Sequence, residues 1–360
     1  MTSAILSAVD EAQAIEDLHA LGCTDGLPVI VPTRERVERM VLATGLDPDD
    51  ILGEMGPLMG AASVEKVATA AVMAGCLPDH IPVVVAAVRA MCKPEFDLRE
   101  MQATTHCTAP LLIVNGPART ACGGIVSGFG VMGPGHRANA SIGRAVRLAM
   151  INVGGARPGQ SDMALHGHPG KFSFCIAEDE ENSPFPPLHT TFGYDTEQSV
   201  VTVVGSEAPH SAFFIGDADD PHGSAEQLLA ILASTVAAPG TNNVVLGGEG
   251  TVIMVMNPDH TAVLEAVGYD RAKVQQRIAE LAVIPVEDAR RFHPRQFAGF
   301  KGEYVKAVRD PERVMIVQAG GTGLYSMVMP TWSAGAHHNT AVHAEIELDQ
   351  ACEVPWATQS

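Results

Sequence analysis

The sequence predicts an α/β protein, with mixed sheets layered with helices and two halves packed intimately together. Three observations predict this. Short runs rich in Val, Ile and Leu alternate with stretches of helical periodicity along most of the chain, the pattern of α/β layers with some antiparallel or hairpin-linked strands. At 360 residues the chain exceeds one ordinary domain. It is 46% hydrophobic and 18% charged, a composition that buries a large core and lies far from the disordered class. Aromatics are only 5%, against 35 Gly and 24 Pro, so the core is expected to consist of small and β-branched side chains between tight turns.

In chain order, residues 4–21 read as an amphipathic helix, and "GLPVIVP" (26–32) as a short buried strand. Thr33 caps a helix that turns Val37, Met40 and Val41 inward and stops at Gly45. Ser63 caps another that runs to Gly75, with Val64, Val67, Ala71 and Val72 inward. Pro82 falls where a helix's first turn tolerates it. "APLLIVNGP" (109–117) is a buried strand. A glycine-rich loop then leads into a helix from about Ala138 to Val153, stopped by Gly154 and Gly155. "KFSFCIAE" (171–178) alternates as a strand, with Phe172, Phe174 and Ile176 buried. "SVVTVVG" (199–205), "NVVLGG" (243–248), "TVIMVMNP" (251–258) and "VMIVQAGG" (314–321) read as strands. Residues 224–237, with Ser224 as cap, and the stretches "HTAVLEAVG" and "DRAKVQQRIAELA" read as helices. The Pro- and acid-rich stretch 179–198 is the expected connection between an N-terminal half (1–178) and a C-terminal half (199–360).

The balance of 23 basic against 42 acidic residues gives a formal charge of −19. With no cluster of Lys or Arg, nucleic acid is not an expected partner, and an acidic surface repels anionic membranes. The longest apolar runs, such as "IPVVVAAV" (81–88), are too short to span a bilayer. Seven scattered cysteines (Cys23, Cys76, Cys92, Cys107, Cys122, Cys175 and Cys352) show no CxxC spacing. Reduced thiols in a cytoplasm are expected. The N-terminus lacks the basic start and long apolar core of an export signal. An apolar α/β chain of this size is expected to form a homo-oligomer, a dimer by default.

Five stretches carry candidate chemistry. In "GPGHRANASIGRA" (133–145) glycines free the backbone and a helix N-terminus follows, which favours an anion. Gly135, Arg137, Asn139, Ser141 and Arg144 would bind it. The pattern is neither GxGxxG nor a Walker loop, so a nucleotide is not signalled. In "LHGHPGKFSFCIAEDEENSP" (165–184), His166 and His168 would share a face if the chain were a strand there. Lys171 opens the predicted strand and Glu178 closes it, where a carboxylate can act as a general base or metal ligand. In "MQATTHCTAPLLIVNG" (101–116), Cys107 is a candidate nucleophile. His106 points away from it on an extended chain, so His136 or His168 is the expected partner. Thr105 and Asn115 are candidate substrate contacts. His337, His338 and His343 resemble a metal cluster only on paper, and "QAGGTG" (318–323) is a further glycine turn able to line an anion pocket.

The segments "DGLPVIVPT", "SVEKVATAAVMAGCLPDHIPVVVAAV", "GPGHRANASIGRAVRL" and "GHPGKFSFCIAEDEENSPFPPLH" together resemble an uncharacterised bacterial family. Its members are often encoded beside a small protein with a Cys- or selenocysteine-Gly-Ser-Cys motif. The likeness spans roughly residues 25–330. It brings no activity of its own. It implies that Arg137, Asn139, Arg144, His168, Lys171, Glu178, Glu180 and Glu181 occupy motif positions, and that a small thiol or selenol protein is a partner. The chain departs from the family pattern at His106-Cys107, where Gly-Pro is usual, and around His337-His338.

The leading expectation is an enzyme acting on a small anionic organic substrate. The loop at 133–145 would hold the carboxylate. Glu178, with His168 or Lys171, would move a proton in a lyase, hydratase or hydrolase reaction. Cys107 would add a nucleophilic step. Two alternatives stay open: thiol-dependent reductive cleavage of a carbon–heteroatom bond with the small Cys-Gly-Ser-Cys protein, and a non-catalytic binding subunit. Metal and cofactor are unassigned. All of this requires that Arg144 and Glu178 meet across one cavity.

Overall fold

A computed structural model describes residues 5–348; Cys352 lies outside them. It is an α/β protein with mixed and antiparallel sheets. Helix α1 (Glu11–Ala20) begins later than the periodicity suggests, because the Asp10 carboxylate caps the Gln13 N–H at 2.8 Å. The expected strand at 26–32 is absent. Pro28 and Pro32 carry no N–H for a ladder, Ile30 is 42% exposed, and the segment is held by scattered bonds, among them Ile30 N–H to Met73 O at 3.2 Å and side-chain bonds from Arg36 and Arg144, instead of a ladder.

Helix α2 (Arg34–Leu42) is capped by Thr33 and buries Val37, Met40 and Val41. A hairpin, β1 (Ile51–Met55) and β2 (Gly60–Ser63), leads into α3 (Val64–Ala74), which Ser63 caps and which ends on a left-handed Gly75 with φ +85°. Helix α4 (Ile81–Met91) carries Pro82 in its first turn, and α5 (Leu98–Ala103) precedes β3 (Ala109–Asn115), buried along its whole length. After the short α6 (Ala118–Ala121) and the glycine-rich loop comes α7 (Arg137–Asn152), then β4 (Cys175–Ala177). Strand β4 is much shorter than 171–178. Residues 169–171 form a 3-10 turn and Phe172 is 46% exposed, so only Phe174 and Ile176 of the expected apolar face are buried.

Strands β5 (Val200–Ser206) and β6 (His210–Phe213) open the second part. Helix α8 (Pro221–Val236) starts one turn before Ser224, at Asp220, whose carboxylate accepts the Gly223 N–H at 2.9 Å. The stretch at 243–248 forms the short α9 (Asn242–Val245) instead of a strand, because Thr241 caps it and left-handed glycines 247 and 248 end it. Then follow β7 (Val252–Met256), α10 (Pro258–Glu265), α11 (Arg271–Leu281), β8 (Val283–Pro285), α12 (Val286–Phe292), β9 (Tyr304–Lys306), β10 (Val314–Gln318), β11 (Tyr325–Met329) and β12 (Val342–Glu345).

Two four-stranded sheets dominate, ordered β12-β5-β3-β4 and β10-β7-β11-β6. Alternation along each strand divides the side chains. In β3, Leu111 and Ile113 face one cluster and Leu112 and Val114 another; in β7, Ile253 and Val255 oppose Met254 and Met256 in the same way. Leu111, Ile113, Ile176, Val255 and Val317 form one apolar layer between the sheets. Helices α3, α4 and α7 cover the outer face of the first sheet, and α8 and α11 that of the second. The result is a helix–sheet–sheet–helix stack. The layers do not divide at 179–198. Strands β5 and β12, both beyond that stretch, complete the sheet begun by β3 and β4.

Candidate functional site

The register of the first sheet fixes where each candidate residue goes. Strand β3 pairs antiparallel with β5, Ala109 opposite Ser206 and Asn115 opposite Val200, and parallel with β4, Leu112 beside Cys175. Residues 101–108, 168–171 and 206–207 therefore gather at one end. Asn115, Glu178 and the acidic loop gather at the other, about 20 Å away along a seven-residue strand. The residues expected to act together are split between these ends.

At the second end, Glu178 is fully buried. Its carboxylate accepts from Asn115 Nδ2 at 2.5 Å and from the Leu188 N–H at 2.7 Å, and Arg271 Nη2 lies 3.5 Å away. Burial raises its pKa, against the lowering pull of Arg271. Arg271 also donates to Pro186 O at 2.5 Å and to Ile316 O, and its guanidinium lies 5.6 Å from the Phe185 ring centre. Glu180 accepts from Asn115 Nδ2 and the Gly116 N–H at 2.7 and 2.8 Å, while Arg119 holds Glu180 and Glu181. Asp179 is bound through Gln318, and the Gly320 N–H donates to Ser127 O. This end is a lock between the two sheets. Both oxygens of Glu178, the expected proton-moving base, are held here by partners from the fold.

The glycine-rich stretch 133–145 is likewise spent on structure. Arg137 and Ser141 donate to Gly75 O at the end of α3. Asn139 ties Val126 to Cys175 through its amide. Arg144 makes a bidentate pair with Asp25 at 2.8 and 2.9 Å and donates to Leu27 O and Pro28 O. Gly135 has φ +112° and supplies only the turn. Arg144 and Glu178, expected to meet across one cavity, thus share no hydrogen-bond or ion-pair partner, and each sits in its own structural tie.

The first end is different. Here α7 runs antiparallel to β4, and a Cβ on Gly143 would come within 2.5 Å of Phe174 N, so only glycine permits this approach. The approach brings Arg147, one turn beyond Arg144, to Asp162, with Nη1 3.4 Å from Oδ2. Lys171 Nζ reaches the other oxygen of Asp162 at 2.6 Å. Burial lowers the pKa of Lys171 and Asp162 pulls it back up. His168 Nδ1 accepts the Gly170 N–H at 3.1 Å, so Nε2 carries the hydrogen and donates to Ser206 O at 3.2 Å. Burial depresses its pKa to about 4, with Lys171 and Arg147 adding to the effect. The ring is neutral at pH 7.

Cys107 lies in the field of Glu207 and Lys171. Burial, followed by Glu207, pushes its thiol up, the reverse of nucleophile activation. His106 donates through Nε2 to Glu207 at 2.8 Å, and no base faces the thiol among the hydrogen bonds of the described residues. Thr105 contributes its backbone carbonyl, which accepts the Leu165 N–H. His166 is exposed, and left-handed Gly167 breaks the strand geometry that would align it with His168. His337 pairs with Asp97, His338 with Glu249, and His343 stacks on Phe192 at 4.4 Å. These three separate partners explain why they form no cluster. Among the described residues no group of three His, Cys, Asp or Glu converges as a metal site, and no helix is long and apolar enough to cross a membrane.

Arg147, Asp162, Gln102 and Glu207 are absent from the sequence-based candidates. Arg147 had a visible signal: a charge set among Ala145, Val146, Leu148 and Ala149, all buried. Asp162 and Glu207 had none, since their significance depends on strand register. Fold and site together define a four-layer α/β protein with a buried, cation-rich cluster at one end of its first sheet. No protein-family model matches the chain, and no curated protein is similar to it in sequence.

Proposed function

We propose that the protein is an enzyme that performs acid/base chemistry on a small anionic organic substrate, as a lyase, hydratase or hydrolase, at the Lys171 end of the first sheet. One observation carries this reading: Lys171, Asp162, Arg147 and His168, from three separate chain segments, converge with two cations on a single buried carboxylate. Excess positive charge in a desolvated place favours an anionic ligand. Lys171 is the group suited to proton transfer, since burial brings its amine nearer to neutral titration and Asp162 fixes its position. Neutral His168 offers an Nε2–H to a developing charge once it leaves Ser206 O. Cys107, with its raised thiol, takes no step, and the reading needs no thiol protein.

The test is turnover of a mixed panel of small carboxylic acids, followed by NMR. Lys171→Met is expected to lower turnover by about a hundredfold or more, the scale of a lost general acid or base. Glu178→Gln is expected to change it only as the folded fraction changes. Wild-type turnover by Lys171→Met would remove the proposal.

A further inference from the structure

Among the buried guanidiniums of the described residues, that of Arg147 has the most unpaired N–H groups. Its side chain is 8% exposed. Nη1 alone has a partner, the long contact to Asp162, whereas Nε and Nη2 are buried with no hydrogen-bond partner. Those two N–H groups lie on one edge of the planar guanidinium and form the fork that matches the two oxygens of a carboxylate. Leaving such buried donors unpaired is costly, so the arrangement is at odds with a merely structural role.

A second, independent orphan lies nearby in the fold. Gln102 is 1% exposed, and both its Oε1 and its Nε2 lack partners. Its backbone carbonyl accepts the N–H of Met163, the residue that follows Asp162. The 162–163 segment is thus touched from two elements, by the Gln102 backbone at α5 and by the Arg147 side chain from α7. A free amide presents one donor and one acceptor. Its complement is a hydroxyl or amide group on the ligand.

We infer that the unpaired edge of Arg147 holds the carboxylate of the substrate and that Gln102 reads a hydroxyl or amide beside it, so that the substrate class is small hydroxy or amido acids. The inference rests on the functional reading above and narrows it. The carboxylates around the cluster are already engaged elsewhere: Asp162 is shared between Arg147 and Lys171, Asp25 is taken by Arg144, and Glu207 accepts from His106.

The experiment is calorimetric titration of the full-length protein with three probes: glycolate, acetate and neutral glycolamide. Glycolate is expected to bind most tightly, acetate more weakly, and glycolamide weakest. Arg147→Lys keeps the charge and loses the fork, and is expected to weaken glycolate about tenfold or more, as for a lost charge-assisted hydrogen bond. Gln102→Leu is expected to bring glycolate down to the acetate level while acetate binding stays. Equal binding by wild type and Arg147→Lys overturns the inference, as does the absence of glycolate and acetate binding at tens of millimolar. Circular dichroism separates unfolding of either variant from loss of the subsite. Carboxylate binding that depends on Arg147, with no turnover of any acid, supports this inference and removes the acid/base reading. Turnover that depends on Lys171 but not on Arg147 does the reverse.

Discussion

Arg271→Met is expected to destabilise the protein by about 3–5 kcal/mol, the range for removing one partner of a buried ion pair. Glu178 is fully buried, and Arg271 is the cation beside it. Without the guanidinium, the Leu188 N–H and Asn115 still hold one oxygen of the carboxylate, but its charge loses the cation that pairs with it directly. The carbonyls of Ile316 and Pro186 also lose their donor. The folded-state pKa of Glu178, already raised by burial, climbs further, above its unfolded value of 4.5. The penalty is therefore present above that raised value and shrinks as pH falls through it and Glu178 becomes neutral. Adding Glu178→Gln to Arg271→Met is expected to recover part of the loss at pH 7. Urea denaturation of the single and double variants gives the comparison. A single variant within 1 kcal/mol of wild type, about the most an exposed pair is worth, would show that the lock between the sheets is not held by this pair.

The second large effect is loss of stability in mild acid. His80 is 1% exposed, and burial lowers its pKa from 6.5 to about 4, with Arg137 adding to the shift and Asp79 opposing it. Its Nδ1 accepts the Leu77 N–H at 3.2 Å, and Gly123 packs so closely that a Cβ there would lie 2.5 Å from Nε2. Charging the ring means desolvating a cation. Between about pH 6.5 and 4 the unfolded chain binds a proton that the folded one refuses, so stability rises with pH across that window. The contribution is fully present above 6.5 and lost as pH falls towards 4. At about 1.4 kcal/mol per pKa unit, it amounts to about 3 kcal/mol. His168 has the same sign and window, with a smaller contribution because it is partly exposed. Thermal unfolding measured across pH 4–7 is expected to show this slope, and His80→Gln to flatten it, whatever the variant's own stability at pH 7. An unchanged slope in His80→Gln would assign the acid sensitivity elsewhere.

The contrast between the two ends of the first sheet shows what sequence patterns carry. Caps and periodicity are local, so Thr33, Ser63 and the α7 boundaries could be read directly from neighbouring residues. Strand β3 was equally legible, because a buried strand is a continuous apolar run. The stretch at 26–32 looked the same and is no strand, since a strand exists only where another offers a ladder. The histidines and acids of 166–181 are close in sequence, yet β4 carries Lys171 and Glu178 to opposite ends of a sheet.

By itself the sequence determined the α/β class, the capped helices, the apolar strands and the regions where polar residues concentrate. All of these follow from contacts within a few residues of one another. The tertiary structure alone decided which polar residues face each other. It set Glu178 against Arg271 and Arg144 against Asp25, and brought Arg147 to Lys171 through Asp162. Those pairings depend on strand order and register and on the close approach at Gly143. Such relations join residues far apart along the chain and leave no periodicity or spacing in it to read.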